Sequence, residues 1–249
     1  MATSGGGRIK TYGRVAVMAL AAAALLASAS TVQAIAAGPH KPHASVATRS
    51  AQQVIPSIFE STLPQYAGAG WSACPTPITW TVDTRDLPPA SVDAQISNLT
   101  WAFHEWSRVT GLAFAFGGAQ ELAYDSVNHQ LTPADGTITS SRHIYVMFAR
   151  SSTPGFSGNV DGLASPALVM PSTKEILQGR ILLRADYFGS RTSAAGAARA
   201  IAVHEIGHAL GLAHSASTRD VMYPRVDGQS TLSAVDADSV RGLLQPCTG

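Results

Sequence analysis

Residues 203–224 read VHEIGHALGLAHSASTRDVMYP, and within them His204, Glu205, His208, Gly211 and His214 form the pattern H-E-x-x-H-x-x-G-x-x-H. No other stretch constrains the chain as tightly, because this one asks for a helix that stops at a set residue. On an α-helix, residues i and i+4 share a face, so His204 and His208 can present adjacent imidazoles to one metal ion. Zinc takes nitrogen ligands in a tetrahedral shell, and a catalytic site keeps one position for water. A third ligand must arrive from another direction, so the helix has to end. Gly211 tolerates the left-handed conformation that ends helices, and His214 follows where the returning chain can reach the metal. Glu205 adjoins a ligand without being one. It is placed to take a proton from the activated water and to give it to the leaving amine. The competing reading is an amphipathic helix with incidental histidines. Treating residues as independent draws, the five-position pattern arises by chance in about one such chain in a hundred thousand.

The chain has 249 residues and a net charge of +1. That length allows one domain and a leader, and that charge lacks the basic excess of nucleic-acid binders. Its two cysteines, Cys74 and Cys247, lie far apart and form no C-x-x-C pair. In an exported protein a bridge tying the two ends of the domain is the expected use; the alternative is two buried thiols.

H-E-x-x-H-x-x-G-x-x-H followed by a methionine, here Met222 in Asp220-Val221-Met222-Tyr223-Pro224, resembles the metzincin clan of zinc endopeptidases. Ser215 directly after the third histidine and the Val-Met-Tyr-Pro string resemble its matrixin branch. The resemblance implies one catalytic zinc held by His204, His208 and His214, with Met222 as an apolar floor beneath it. It also implies that the segment from Tyr223 onward forms the wall of the primed-side pocket. Astacin-like relatives carry a zinc-reaching tyrosine two residues after the methionine; that position is Pro224 here, so Tyr223 does not inherit the role.

The rest of the chain is read in order. Arg8, Lys10 and Arg14 precede an apolar run, Val15 to Ala27, of the length of a secretory signal core and short of a bilayer span. Residues 1–34 are therefore expected to be a signal peptide, with an uncleaved membrane anchor as the alternative, 35–70 a linker or short pro-segment, and 71–249 the catalytic domain. No cysteine precedes Cys74, so latency through a pro-segment cysteine is not supported. Strands are expected at Ile78–Thr84, Leu112–Phe116, His143–Arg150, Gly162–Met170 and Arg180–Phe188. His143–Arg150 is expected at the centre of the sheet and Gly162–Met170 at its edge, where Pro166 can be tolerated. The stripe Val92, Ile96, Leu99, Phe103, Trp106 predicts a helix over 91–110, with His104 and Glu105 on its polar face. Asn98 opens a glycosylation sequon inside that helix. Residues 117–142 read as a long polar loop. Asp125, His129 and Asp135 there lack the H-x-D spacing of a structural zinc site, and the sequence leaves calcium open. The active-site helix is expected over 193–212. Ser233 and Asp236 approximate a capping box opening a last helix, with Val235, Val240, Leu243 and Leu244 turned inward.

These readings give an α+β domain with a small, mixed, mostly parallel sheet, an active-site helix, a second long helix and a C-terminal helix. The expected function is a secreted, monomeric zinc endopeptidase acting on protein or peptide. The alternatives are a zinc amidase acting on cell-wall or other non-protein amides, and a non-catalytic binding protein of the same fold.

Overall fold

The computed structural model describes residues 66–137, 141–156, 160–190, 195–225 and 228–247. The signal segment and most of the linker lie outside the described residues. Strand β1, Ile78–Asp83, leads through a short 3-10 turn at Pro89–Ser91 into helix α1, Val92–Thr110. Next come β2 (Phe114–Ala119), β3 (Leu122–Asp125), β4 (Gln130–Pro133), β5 (His143–Ala149), β6 (Gly162–Val169) and β7 (Ile176–Arg184). The short helix α2 (Ala185–Phe188), the helix α3 (Ala195–Ala209) and the closing helix α4 (Ala234–Leu243) complete the order.

Five strands form one sheet in the order β2-β1-β5-β7-β6. All its pairings are parallel except β6 on β7. Parallel neighbours need covered faces, and both faces of this sheet are covered. Trp80, Val82, Ile144, Val146, Phe148, Ile181 and Leu183 point to one side, where they join Leu99, Phe103 and Trp106 of α1 and Ile201, Val203 and Ile206 of α3 in the main core. Trp106 Nε1 donates to the Val203 carbonyl at 2.9 Å, tying α1 to α3. On the other side, Tyr145, Leu163 and Leu182 pack with Leu122, Leu131 and Val160 in a smaller cluster.

The central position of β5, the edge position of β6 and the capping box at Ser233 follow the sequence reading. Several details differ from it. Residues 117–142 are not one polar loop: β3 and β4 form an antiparallel hairpin whose Leu122 and Leu131 are buried. These strands are only four residues long, so their alternation is too short to register as a pattern. The last strand begins at Ile176, four residues earlier than expected, and its expected second half is the helical turn α2. Val235 does not pack inward; it is 58% exposed, because the N-terminal turn of α4 turns that position outward. Packing begins before Trp71, since Tyr66, Ala69 and Gly70 are already buried and Gly70 bridges to Glu175. Cys74 and Cys247 form a disulfide, beside a backbone bridge between Ser72 and Gln245. Asn98 is buried and accepts a bond from Arg199, which removes it from reach of a glycan.

Candidate metal centre and active site

Helix α3 carries His204 and His208 on one face, and the chain leaves the helix just after Ala209. Gly211 has φ of +104°, and a Cβ there would lie 2.5 Å from the Ala69 carbonyl oxygen. Glycine is thus required twice over, by the left-handed backbone and by the close approach. The turn returns His214 to the helix. His208 Nε2 lies 3.1 Å from His204 Nε2 and 3.2 Å from His214 Nε2. Three nitrogens about 2.0–2.1 Å from one tetrahedral zinc lie about 3.3–3.4 Å apart, so the spacing suits that ion.

The protons on these rings can be assigned from their partners. His204 Nδ1 faces the Val221 carbonyl at 2.7 Å and His208 Nδ1 faces the Leu212 carbonyl at 2.8 Å. A carbonyl only accepts, so each neutral ring carries its hydrogen on Nδ1 and turns a bare Nε2 toward the other. Two lone pairs at 3.1 Å repel unless a cation lies between them. Burial, the larger cause, lowers the pKa of His204 to about 4 and that of His208 well below its ordinary value, which favours the neutral, ligating form of both. Among the described residues, these three histidines are the group whose atoms converge in a way that can hold a metal ion.

Glu205 is fully buried beside them. Neither carboxylate oxygen has a hydrogen-bond partner among the described residues. Burial first, and the Asp161 carboxylate second, push its pKa up to about 8; a dication nearby opposes both effects. Asp161 pairs with Arg184. Gly162 lies against Glu205, and a Cβ on it would come 2.6 Å from both Cγ and Oε1. A buried acid of this kind suits proton transfer.

Met222 is buried beneath the helix. A Cβ on Gly207 would lie 2.3 Å from Met222 Sδ and 3.0 Å from Trp106 Cζ2. The turn holding Met222 is clamped by Asp236 at the start of α4, whose carboxylate accepts from the backbone N–H groups of Val221 (2.9 Å) and Ser233 (2.9 Å). Ser215 Oγ donates to Asp220 at 2.5 Å, and Ser215 N to the Met222 carbonyl at 2.8 Å. Pro224 and Tyr223 are half-buried in the bend that follows; residues 226–227 of the expected pocket wall lie outside the described residues. Val235 lines a cavity of about 250 Å³ beside His214 and Met222. Sequence reading did not single out Gly162 or Gly207, and it assigned Asp236 to its cap alone. Of these only Gly207 carried a signal, as a glycine inside a helix that does not break there.

A family model described as Matrixin (Peptidase_M10) matches residues 70–245. Metalloendoproteinase 1 of Glycine max is 27% identical over 184 residues, which cover 70% of this chain and 52% of that protein. The chain thus spans about half the length of the curated relative it matches.

Proposed function

The chain belongs to the matrixin family, and from that premise we propose that it is a secreted, zinc-dependent endopeptidase with His204, His208 and His214 as the metal ligands and Glu205 as the general base. The observation that carries this reading is the convergence of three imidazole nitrogens beside a buried carboxylate that lacks a partner among the described residues. When bound, zinc supplies a Lewis acid and lowers the pKa of a coordinated water to about 7.

The chain's own residues supply the rest. The Val221 and Leu212 carbonyls hold the rings of His204 and His208 in the ligating tautomer. Glu205 takes the proton of the attacking water and gives it to the departing amine nitrogen. Strand β6, whose first residue lies against Glu205, offers an extended substrate a sheet edge to pair with. Gly211 turns the chain so that His214 reaches the site, and Met222 closes it from below. Tyr223 and Pro224 lead into the pocket wall.

Export agrees with the disulfide, which suits an oxidising compartment. Among the described residues no helix is long and apolar enough to cross a membrane.

The test expresses the full chain with its leader, purifies it from the medium, and measures casein cleavage beside Glu205→Gln matched for bound zinc. Cleavage by the unaltered protein alone supports both peptidase and base. If both proteins bind zinc and neither cleaves, the peptidase reading fails and non-protein amides become the substrates to try. Equal cleavage by both removes Glu205 from the mechanism.

A further inference from the structure

Strand β6 lies at the end of the sheet, and its backbone groups divide into those that face β7 and those that face away. Arg184 N donates to the Asp161 carbonyl at 2.9 Å, in line with the Gly162↔Leu183 register. In an antiparallel ladder, residues that exchange hydrogen bonds alternate with residues that do not. The bonded positions after Asp161 are therefore Leu163 and Ser165. Gly162 and Ala164 turn their backbone N–H and C=O groups, and Pro166 its C=O, away from β7, toward the side where no further strand follows among the described residues.

These three positions are not equivalent. Gly162 and Ala164 each carry an N–H and a C=O. By the register, each can exchange a pair of backbone hydrogen bonds with an extended peptide laid alongside. Pro166 has no N–H to give. Its carbonyl already accepts from Ser165 Oγ at 2.9 Å. Directly beyond it the register with β7 shifts, first between Pro166 and Leu168 and again at Val169. A proline at a position that does not bond to β7 costs the sheet nothing, so its effect falls on the outer edge.

We infer that Pro166 ends the main-chain grip on substrate: the peptide pairs with β6 opposite Gly162 and Ala164, and the peptide residue facing position 166 gains no backbone hydrogen bond. This rests on the peptidase reading and narrows it. The predicted substrate is recognised over a short backbone stretch, about 7 Å of strand from Gly162 to Ala164 at the ordinary rise per residue. Selectivity beyond that stretch comes from side chains.

The experiment takes the zinc-loaded protein purified from the medium and a peptide series lengthened one glycine at a time from either end, so that added residues bring backbone without side chain. In the unaltered enzyme, kcat/KM rises with length and then stays flat once the peptide reaches position 166. Pro166→Ala restores an N–H and should raise kcat/KM by roughly two- to ten-fold, the worth of one net hydrogen bond. That gain appears only for peptides long enough to face position 166. A several-fold gain from the glycine facing Pro166 in the unaltered enzyme overturns the inference, as does a Pro166→Ala gain that is absent or independent of length. Should Pro166→Ala not fold, the length series in the unaltered enzyme decides alone. If the unaltered enzyme cleaves casein but follows the wrong length pattern, only this inference falls. If it cleaves nothing while zinc-loaded, the peptidase reading falls first.

Discussion

The two faces of the sheet both bury histidines and acids, and they treat them in opposite ways. Behind the sheet, His143 Nε2 meets Thr81 Oγ1 at 2.9 Å, and Thr81 donates to Gln120 at 2.9 Å. Asp83 there accepts from Arg85 and from the Leu122 N–H at 2.8 Å. His143, Thr81 and Asp83 each have a partner there from the chain itself. On the helix face, His204 and His208 have their Nδ1 atoms satisfied and their Nε2 atoms pointed at one another, with Glu205 unbonded among the described residues. A buried polar group needs a partner. The first cluster is complete, and the second has the arrangement that the proposed zinc would complete. A buried histidine is thus a weak sign of a site, whereas bare nitrogens turned toward one another are a strong one.

The comparison breaks most readily at His208. Replacing it with Ala should abolish stoichiometric zinc binding and cut casein cleavage by at least about a thousand-fold, since removal of a ligand opens the shell. Unchanged zinc content, measured by atomic absorption, would show that His208 is not a ligand and that its bare Nε2 does not mark the metal site. A second change acts on the frame common to both faces. Cys74→Ser with Cys247→Ser should lower unfolding free energy by roughly 2–5 kcal/mol, read from the urea midpoint, while zinc stoichiometry at low temperature stays at one.

The third is a pH effect of the rear face, separate from the slope that His204 and His208 contribute on the other side. Burial holds the pKa of His143 down at about 4, below the value of about 6.5 in the unfolded chain. The unfolded state therefore takes up the proton first as pH falls. The stability from the neutral ring is present above about pH 6.5 and is lost as pH drops toward 4. The loss between about pH 7 and pH 5 is on the order of 2 kcal/mol. His143→Asn should remove that part of the slope. An unchanged slope in urea titrations at the two pH values would mean that His143 is not buried neutral. The smallest expected effect comes from Gly207→Ala. Its methyl group must displace Met222 or Trp106, at a cost of about 1–3 kcal/mol together with faster loss of zinc to a chelator. Thr81→Val at the rear should cost a similar amount and leave chelation unchanged.

Much of the site was legible because it is local. His204, Glu205, His208, Gly211 and His214 span eleven positions, and helix geometry alone places the first three. The stripe on α1 and the capping box at Ser233 were legible for the same reason: a period of 3.6, or a three-residue spacing, is a property of the chain near itself. The hairpin β3–β4 was not, since strands of four residues with only Leu122, Leu131 and Pro133 buried leave no periodic trace. The extent of β7 was misread at both ends, because Arg184 continues smoothly into α2 and nothing in the composition marks the change.

By itself, then, the sequence determined the spacing of the three candidate metal-ligating histidines, the helix that bears the first two, the glycine that ends that helix and the order of the main elements. All of these depend on interactions within a few residues. Only the tertiary structure decided which carbonyls orient the imidazoles, that Asp236 holds the Met222 turn, that Gly162 makes room for Glu205, and which backbone groups of β6 face outward. Apart from His208 and Leu212, which are four positions apart, those contacts join residues 14 to 43 positions apart or depend on strand register, and neither is fixed until the sheet and helices have packed.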